Sequence, residues 1–173
     1  MYINAFDLPE DNNGFIFFPG HPRSYRADCK SGVFKIGESE ILGSSLDLEI
    51  LSCREFPDTL FNYPYQDWLE IFFIDRENVV SHILFKTESI GNFLELVRKL
   101  TIAKIQLGTC IVTAKMAKRV NDYGTYFAVE FSATNNEQKR VKQLAEFISA
   151  NSERIYSTRL VENQKQLPPT TEH

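Results

Sequence analysis

Hydrophobic and polar residues alternate with the two-residue period of β-strands through the middle of the chain. Leu46, Leu48 and Ile50 alternate with Asp47 and Glu49, which predicts a first core strand over 46–56. Four more core strands are predicted, over 68–75, 79–86, 106–120 and 125–133. The turns "REN" and "NDYG" are short, so the strands that they join are expected to be antiparallel neighbours.

The hydrophobic period changes to that of an amphipathic helix in two places. One predicted helix covers 88–100, between the third and fourth core strands, and the second covers 135–151, after the fifth. Shorter segments are harder to assign: 14–18 has the composition of a strand, 32–36 is a short strand or an extended arm, and 153–161 is predicted as one more short strand.

Prolines and polar residues interrupt the pattern at 57–67, which is therefore predicted to be a loop. This loop contains Phe61, Tyr63 and Tyr65. The predicted turn at 121–124 contains Tyr123, and Tyr126 follows it. Aromatic rings are thus expected in both connections.

The chain has 173 residues, of which 43% are hydrophobic and 24% charged, as in ordinary globular domains. We predict one domain over 1–160, with an N-terminal extension and a C-terminal helix, and a flexible polar tail over 161–173. No apolar run reaches the roughly 18 residues of a membrane span, and the N-terminus lacks a signal-peptide pattern. The predicted location is the cytoplasm, without membrane contact.

The segments "GVFKIGESEILGSSLDLEIL", "DWLEIFFID", "HILFK", "SIGNFLELVRKL", "GTCIVTAKMAKRV" and "GTYFAVEF" follow one another as strands, a helix and strands. This order resembles that of OB-fold single-stranded-DNA-binding proteins of phage and prokaryotic type. The resemblance implies a mainly β fold, a five-stranded antiparallel barrel with a helix between strands 3 and 4. An added C-terminal helix completes the predicted architecture.

The net charge of −4 hides an asymmetry along the sequence. Residues 1–75 carry 5 basic and 13 acidic side chains, whereas residues 76–173 carry 14 basic and 10 acidic ones. Between 98 and 119 there are six basic residues and no acidic residue. Such a local positive field can bind a polyanion although the whole chain is acidic.

Single-stranded nucleic acid is bound by cations that follow the phosphates and by rings that stack on bases. The candidate binding residues combine both kinds of side chain: Tyr63, Tyr65, Trp68, Arg98, Lys99, Lys115, Lys118, Arg119, Tyr123 and Tyr126. Most of them also have a structural explanation. The loop tyrosines can plug the barrel end, Trp68 can be core, the hairpin cations can form a solvated edge, and the helix cations can complement the helix dipole.

Candidate catalytic chemistry is sparse in this sequence. It contains no phosphate-binding glycine loop, no nucleophile elbow and no spaced metal ligands. His82 is interpreted as a sheet residue, and the three cysteines as free thiols. We therefore predict no enzyme, cofactor or metal.

The predicted function is non-catalytic binding of single-stranded DNA, which is favoured over RNA. The protein would act as an accessory in replication or recombination, and it could act as a homo-oligomer. The alternative is a protein-interaction or assembly module that uses the same aromatic loops.

Overall fold

The computed structural model describes residues 5–6 and 13–165, and side chains within this range up to Ile155. Strands account for 49% of the structure and helices for 25%, so the mainly β class is confirmed. The strands are β1 (Arg23–Asp28), β2 (Val33–Ile36), β3 (Glu40–Gly43), β4 (Ser45–Asp58), β5 (Gln66–Ile74), β6 (Val80–Lys86), β7 (Cys110–Asn121) and β8 (Gly124–Asn135). The helices are α1 (Glu88–Ile102) and α2 (Gln138–Lys165), and a 3-10 turn (Leu107–Thr109) precedes β7.

The eight strands form one sheet in the order β3-β2-β1-β6-β5-β4-β7-β8, curled into a half-barrel. β1 pairs with β6 in parallel, and the other neighbours are antiparallel. β4 is long enough to pair with β5 over one part and with β7 over another. A backbone hydrogen bond from Phe127 N to Cys29 O, at 2.9 Å, links β8 to the residue that follows β1.

The prediction of five strands with a helix between strands 3 and 4 is wrong. The structure has eight strands, and α1 lies between β6 and β7. The difference arises because residues 23–43 form three short strands. Only one of them, β2, corresponds to a segment that was predicted as a short strand or an extended arm, 32–36. The helix predicted over 88–100 is present as α1, and the loop predicted over 57–67 is shorter, since β4 continues to Asp58 and β5 begins at Gln66.

One face of the sheet carries the larger hydrophobic core. Side chains from β4 to β8 meet there, with Tyr25 and Phe34 from the N-terminal strands and with Ile90 and Phe93 from α1. Because successive residues of a strand face opposite sides, Val112, Ala114 and Met116 are buried as their alternation predicts, while Lys115 is exposed.

A second core lies on the opposite face of the sheet. Phe72, Ile74 and Val80 pack there against Phe15 and Phe17 of the N-terminal segment and against α2. In β4 the register shifts between Ile50 and Ser52, and Leu51 packs against this second core. The segment 14–18 was expected to be a strand but contributes only an isolated bridge between Ile16 and Val79.

A buried carboxylate fixes β1 beside the β5–β6 turn. Asp75 is 3% exposed and accepts hydrogen bonds from Arg23 (3.0 Å), from the Tyr25 hydroxyl (2.9 Å) and from the backbone N–H groups of Glu77 and Val79. Burial, followed by the hydrogen bond to Asp75, raises the pKa of Tyr25. The network holds the N-terminal strand in a position that its own short sequence does not specify.

Both helices close parts of the sheet. Ser89 Oγ accepts from Val129 N (3.0 Å), and Asn92 Nδ2 donates to Val129 O (2.9 Å), so α1 satisfies backbone groups on the outer edge of β8. Arg140 of α2 binds Glu49 of β4, with its closest N–O distance at 2.7 Å. The short strand predicted over 153–161 is wrong, because these residues continue α2.

α2 also includes residues 161–165, which were assigned to the polar tail. The remainder of that predicted tail, 166–173, lies outside the described residues.

Candidate nucleic-acid interface

The loop between β4 and β5 is built around a buried tryptophan. Trp68 is 3% exposed, and its indole N–H donates to Asp58 O at 3.2 Å. The rings of Phe61 and Tyr63 both lie edge-on to Trp68, with centroids 5.9 Å away. Trp68 is therefore buried, and it supports the two loop rings.

The loop rings themselves are accessible. Phe61 is 62% exposed, Tyr63 40% and Tyr65 71%. Lys86 Nζ lies 3.1 Å from the centroid of the Tyr63 ring, and the Arg26 guanidinium lies 5.9 Å from that of Phe61. Since cations bind the faces of aromatic rings, the loop presents cations and rings together.

The two tyrosines of the β7–β8 hairpin differ in how much of the side chain is exposed to solvent. Tyr123 is 99% exposed at the tip, whereas Tyr126 is 37% exposed and donates its hydroxyl to Glu88 at 3.2 Å. Loss of hydration, followed by the hydrogen bond to Glu88, raises the pKa of Tyr126. Both hairpin tyrosines and both loop tyrosines, Tyr63 and Tyr65, are thus at least partly exposed.

Arg119 lies opposite Tyr126 in the hairpin register and is held by two carboxylates. Its Nε is 2.8 Å from Glu88, and its Nη2 is 2.9 Å from Glu130. The hydrogen bond to Glu130 has the largest effect and the one to Glu88 the next largest, and both raise the pKa of Arg119. Arg119 therefore orders the hairpin base, and its charge is largely balanced by its two partners.

Two adjoining cavities connect the aromatic loop with the hairpin. The first, of about 380 Å³, is lined by residues of β1, β5 and β6 together with Phe61 and Tyr63. The second, of about 350 Å³, extends from Tyr63 to Tyr126. The cavities share five lining residues: Arg26, Ala27, Cys29, Tyr63 and Lys86. We call the two cavities together the β1–β6 groove.

The charge balance of the groove favours an anion. Arg26, Lys30 and Lys86 line it and form no ion pair with any residue in the described part of the chain. Of the acids that line the groove, Glu38 forms no ion pair with any described residue, whereas Asp28 and Glu88 are engaged. Asp28 binds Lys35 Nζ at 2.7 Å, a hydrogen bond that lowers the pKa of Asp28 to about 2, and Glu88 binds Arg119.

The structure brings only part of the predicted set together at this groove. Tyr63, Trp68 and Tyr126 line it, and Arg119 reaches it through Glu88. The other predicted residues do not line either cavity: Tyr65, Arg98, Lys99, Lys115, Lys118 and Tyr123. Arg98 forms an ion pair with Glu95 on the same helix.

Sequence reasoning missed four residues of the groove: Arg26, Lys30, Phe61 as a binding residue, and Lys86. Lys86 ends the strand motif "HILFK" two residues before the first residue of α1, which is a weak signal for a site. Arg26 and Lys30 enter only because β1 pairs in parallel with β6, a contact between distant segments that no local pattern predicts.

A buried acid lies beneath the first cavity. Glu70 is 1% exposed and accepts from Arg54 Nε at 2.9 Å, and the His82 Nδ1 atom is 3.4 Å away. Burial raises the pKa of Glu70, but the hydrogen bonds from His82 and Arg54 outweigh burial, so the net pKa is lowered. His82 also stacks on Phe72, which agrees with its interpretation as a sheet residue.

Asp47 and Glu49, the acid pair on β4, are engaged by protein groups. Asp47 accepts from Thr113 at 2.7 Å, and Glu49 is bound by Arg140. Among the described residues, no group of three or more His, Cys, Asp or Glu side chains is placed to hold a metal ion. Across the same part of the chain, no helix has the length and apolar character needed to cross a membrane.

No protein-family model, curated protein or solved structure matches this chain.

Proposed function

We propose that the β1–β6 groove binds single-stranded nucleic acid, with DNA preferred, and that the protein serves replication or recombination without catalysis. The observation that carries this proposal is the pairing of ring faces with an excess of unpaired cations along one groove, three against the unpaired acid Glu38. Tyr63 lies where the two cavities meet, Tyr126 lines the second cavity, and Arg26, Lys30 and Lys86 lie along the groove.

Stacking of bases on the aromatic rings of the groove favours binding of a flexible single strand over a duplex. A stacked base contributes about 1–3 kcal/mol by alanine substitution, and this requires bases whose faces are open. A duplex hides those faces inside its own stack. Its phosphates can meet the cations, but the rings of Tyr63 and Tyr126 then gain nothing.

The strand order supports an OB-like layout for the second part of the sheet. β4, β5 and β6 follow one another as antiparallel neighbours, and β7 returns through α1 to lie beside β4. This is the spatial order of a Greek key, and the OB-fold is a partly open Greek-key barrel. We propose that β4–β8 form this unit, with β1–β3 added along the edge of β6.

The groove position agrees with that layout. OB-folds bind nucleic acids on the face of their strands 2 and 3 and with the loops after strands 1 and 4. In the proposed unit these correspond to the β5–β6 face, the loop 59–65 and the β7–β8 turn. Lys86 and the loop rings lie at the first two of these places.

The test is binding of a fluorescent polypyrimidine oligonucleotide, followed by anisotropy at low and at high salt. We expect tighter binding of the single strand than of the matched duplex, and a steep loss of affinity with salt. Absence of single-strand binding at low salt would reject the proposed function.

The alternative function is a protein-interaction module, and one observation favours it. Phe61 and Tyr65 are more than half exposed, on a loop between acidic strand ends at Asp58 and Asp67. An aromatic protein interface predicts weak salt dependence and self-association or capture of a partner through this loop. The same salt titration therefore separates the two functions.

A further inference from the structure

We infer that the first cavity of the groove is a slot for one unstacked base of the bound strand. This inference rests on the proposed function and adds to it a specific position for a base. The remaining groove, between Tyr63 and Tyr126, holds the backbone and the neighbouring bases.

The size and walls of the cavity suit a single base. Its volume of about 380 Å³ lies near the lower end of the range for small-ligand sites, about 300–1,000 Å³. Phe61, Trp68 and Leu84 supply apolar wall, as a flat heteroaromatic ring requires. A cavity of this size has room for one base with its sugar.

The polar lining supplies a partner for the edge of a base. His82 lines the cavity, and its Nδ1 atom faces the buried carboxylate of Glu70. A carboxylate accepts, so we assign the proton to Nδ1, which leaves Nε2 as an acceptor. Nε2 has no hydrogen-bond partner among the described residues, and the Watson–Crick edge of every base presents an N–H donor to it.

The opening of the cavity is suited to the phosphate of the same nucleotide. Arg26 and Lys86 line both cavities, so they lie where the strand would pass from the groove into the slot. Phe61 of the cavity wall and the next residue, Asn62, have φ angles of 53° and 68°. A positive φ is costly for a bulky residue such as Phe, and strain of this kind gathers at ligand clamps.

The experiment uses the single tryptophan of the chain, Trp68, as a probe inside the cavity. The full-length protein is titrated with a labelled oligothymidylate and with an abasic deoxyribose-phosphate strand of the same length. Anisotropy of the label reports occupation of the groove, and Trp68 emission reports occupation of the slot. We expect both strands to raise anisotropy, and only the strand with bases to change Trp68 emission.

Two substitutions sharpen the test. Leu84→Phe narrows the cavity and adds no second tryptophan. We expect this variant to bind oligothymidylate about 5- to 150-fold more weakly, which is the equivalent of one lost stacked base. The Trp68 response should disappear and the salt slope should remain. Leu84→Val, the matched control, should keep the response, and a melting curve checks that each variant is folded.

The outcomes separate the slot from the proposed function. Binding of oligothymidylate by anisotropy without any change in Trp68 emission would overturn the slot and leave the groove in place. An equal Trp68 response to the abasic strand would also overturn it, since no base is then needed. Absence of binding to both strands would overturn the proposed function together with the slot.

Discussion

Removal of the two cations shared by both cavities should reduce the salt dependence of single-strand binding by a defined amount. The perturbation is Arg26→Ala with Lys86→Ala. Each phosphate contact to a single strand contributes a slope of about 0.7 in a plot of log affinity against log salt. Two lost contacts lower the slope by about 1.4, which corresponds to a factor of about 7 in affinity over a fourfold change in salt.

The same substitutions should leave the fold nearly intact. Both cations contact exposed rings, Phe61 and Tyr63, and such contacts contribute about 0.5–1 kcal/mol at exposed sites. For a domain of this size, each kcal/mol lowers the melting temperature by about 2–4 °C. The loss of affinity is therefore expected without unfolding.

The assay is fluorescence anisotropy with a polypyrimidine strand at several salt concentrations. The matched control is Lys139→Ala with Lys142→Ala, two exposed cations on α2 that do not line the groove. The control should keep the wild-type slope. A wild-type slope in the groove variant, or an equal reduction in the control, would refute the reasoning, because charge would then act through the whole protein and not at this groove.

Three further results are expected. Tyr126→Ala should weaken single-strand binding by about 5- to 150-fold with a small change in melting temperature. Tyr123→Ala, which changes a residue outside the groove, should bind normally. A large loss of stability with unchanged affinity would show that Tyr126 has a structural role instead. Lys115, Lys118 and Arg119 do not line the groove, but their reversal to Glu adds negative charge to the hairpin that carries Tyr126. The added repulsion should weaken binding in anisotropy, and unchanged binding would exclude such an effect of the hairpin. The pKa of Glu70 is lowered in the folded protein, so ionised Glu70 adds to the free energy of unfolding above its ordinary pKa near 4.5, and this contribution is lost as the pH falls through the folded pKa. In urea unfolding, the free energy of unfolding should therefore fall less steeply with acid pH for Glu70→Gln than for the wild type. An equal fall in the two proteins would contradict this.

The long elements could be predicted from the sequence because each has one face in a core. Leu48 and Ile50 are buried where their alternation with acidic residues places them, and Ile90 and Phe93 are buried on α1 as helical spacing requires. The exposed tyrosines were also predictable, since Pro-containing loops and hairpin turns lie at the surface.

The N-terminal strands could not be predicted, because their register depends on distant residues. β1 is held by Asp75 and by parallel pairing with β6. Strands of four residues, such as β2 and β3, contain too few alternations to be distinguished from an extended arm. The groove cation Arg26 was missed for the same reason.

The direct test of the central claim is photocrosslinking of a single strand that contains 4-thiothymidine, followed by mass spectrometry of the crosslinked peptides. The groove predicts crosslinks in the loop 59–65, at Lys86 and at Tyr126, all reduced by an excess of unlabelled strand. Competed crosslinks that fall only on α2 or on the tip at Tyr123 would contradict the account.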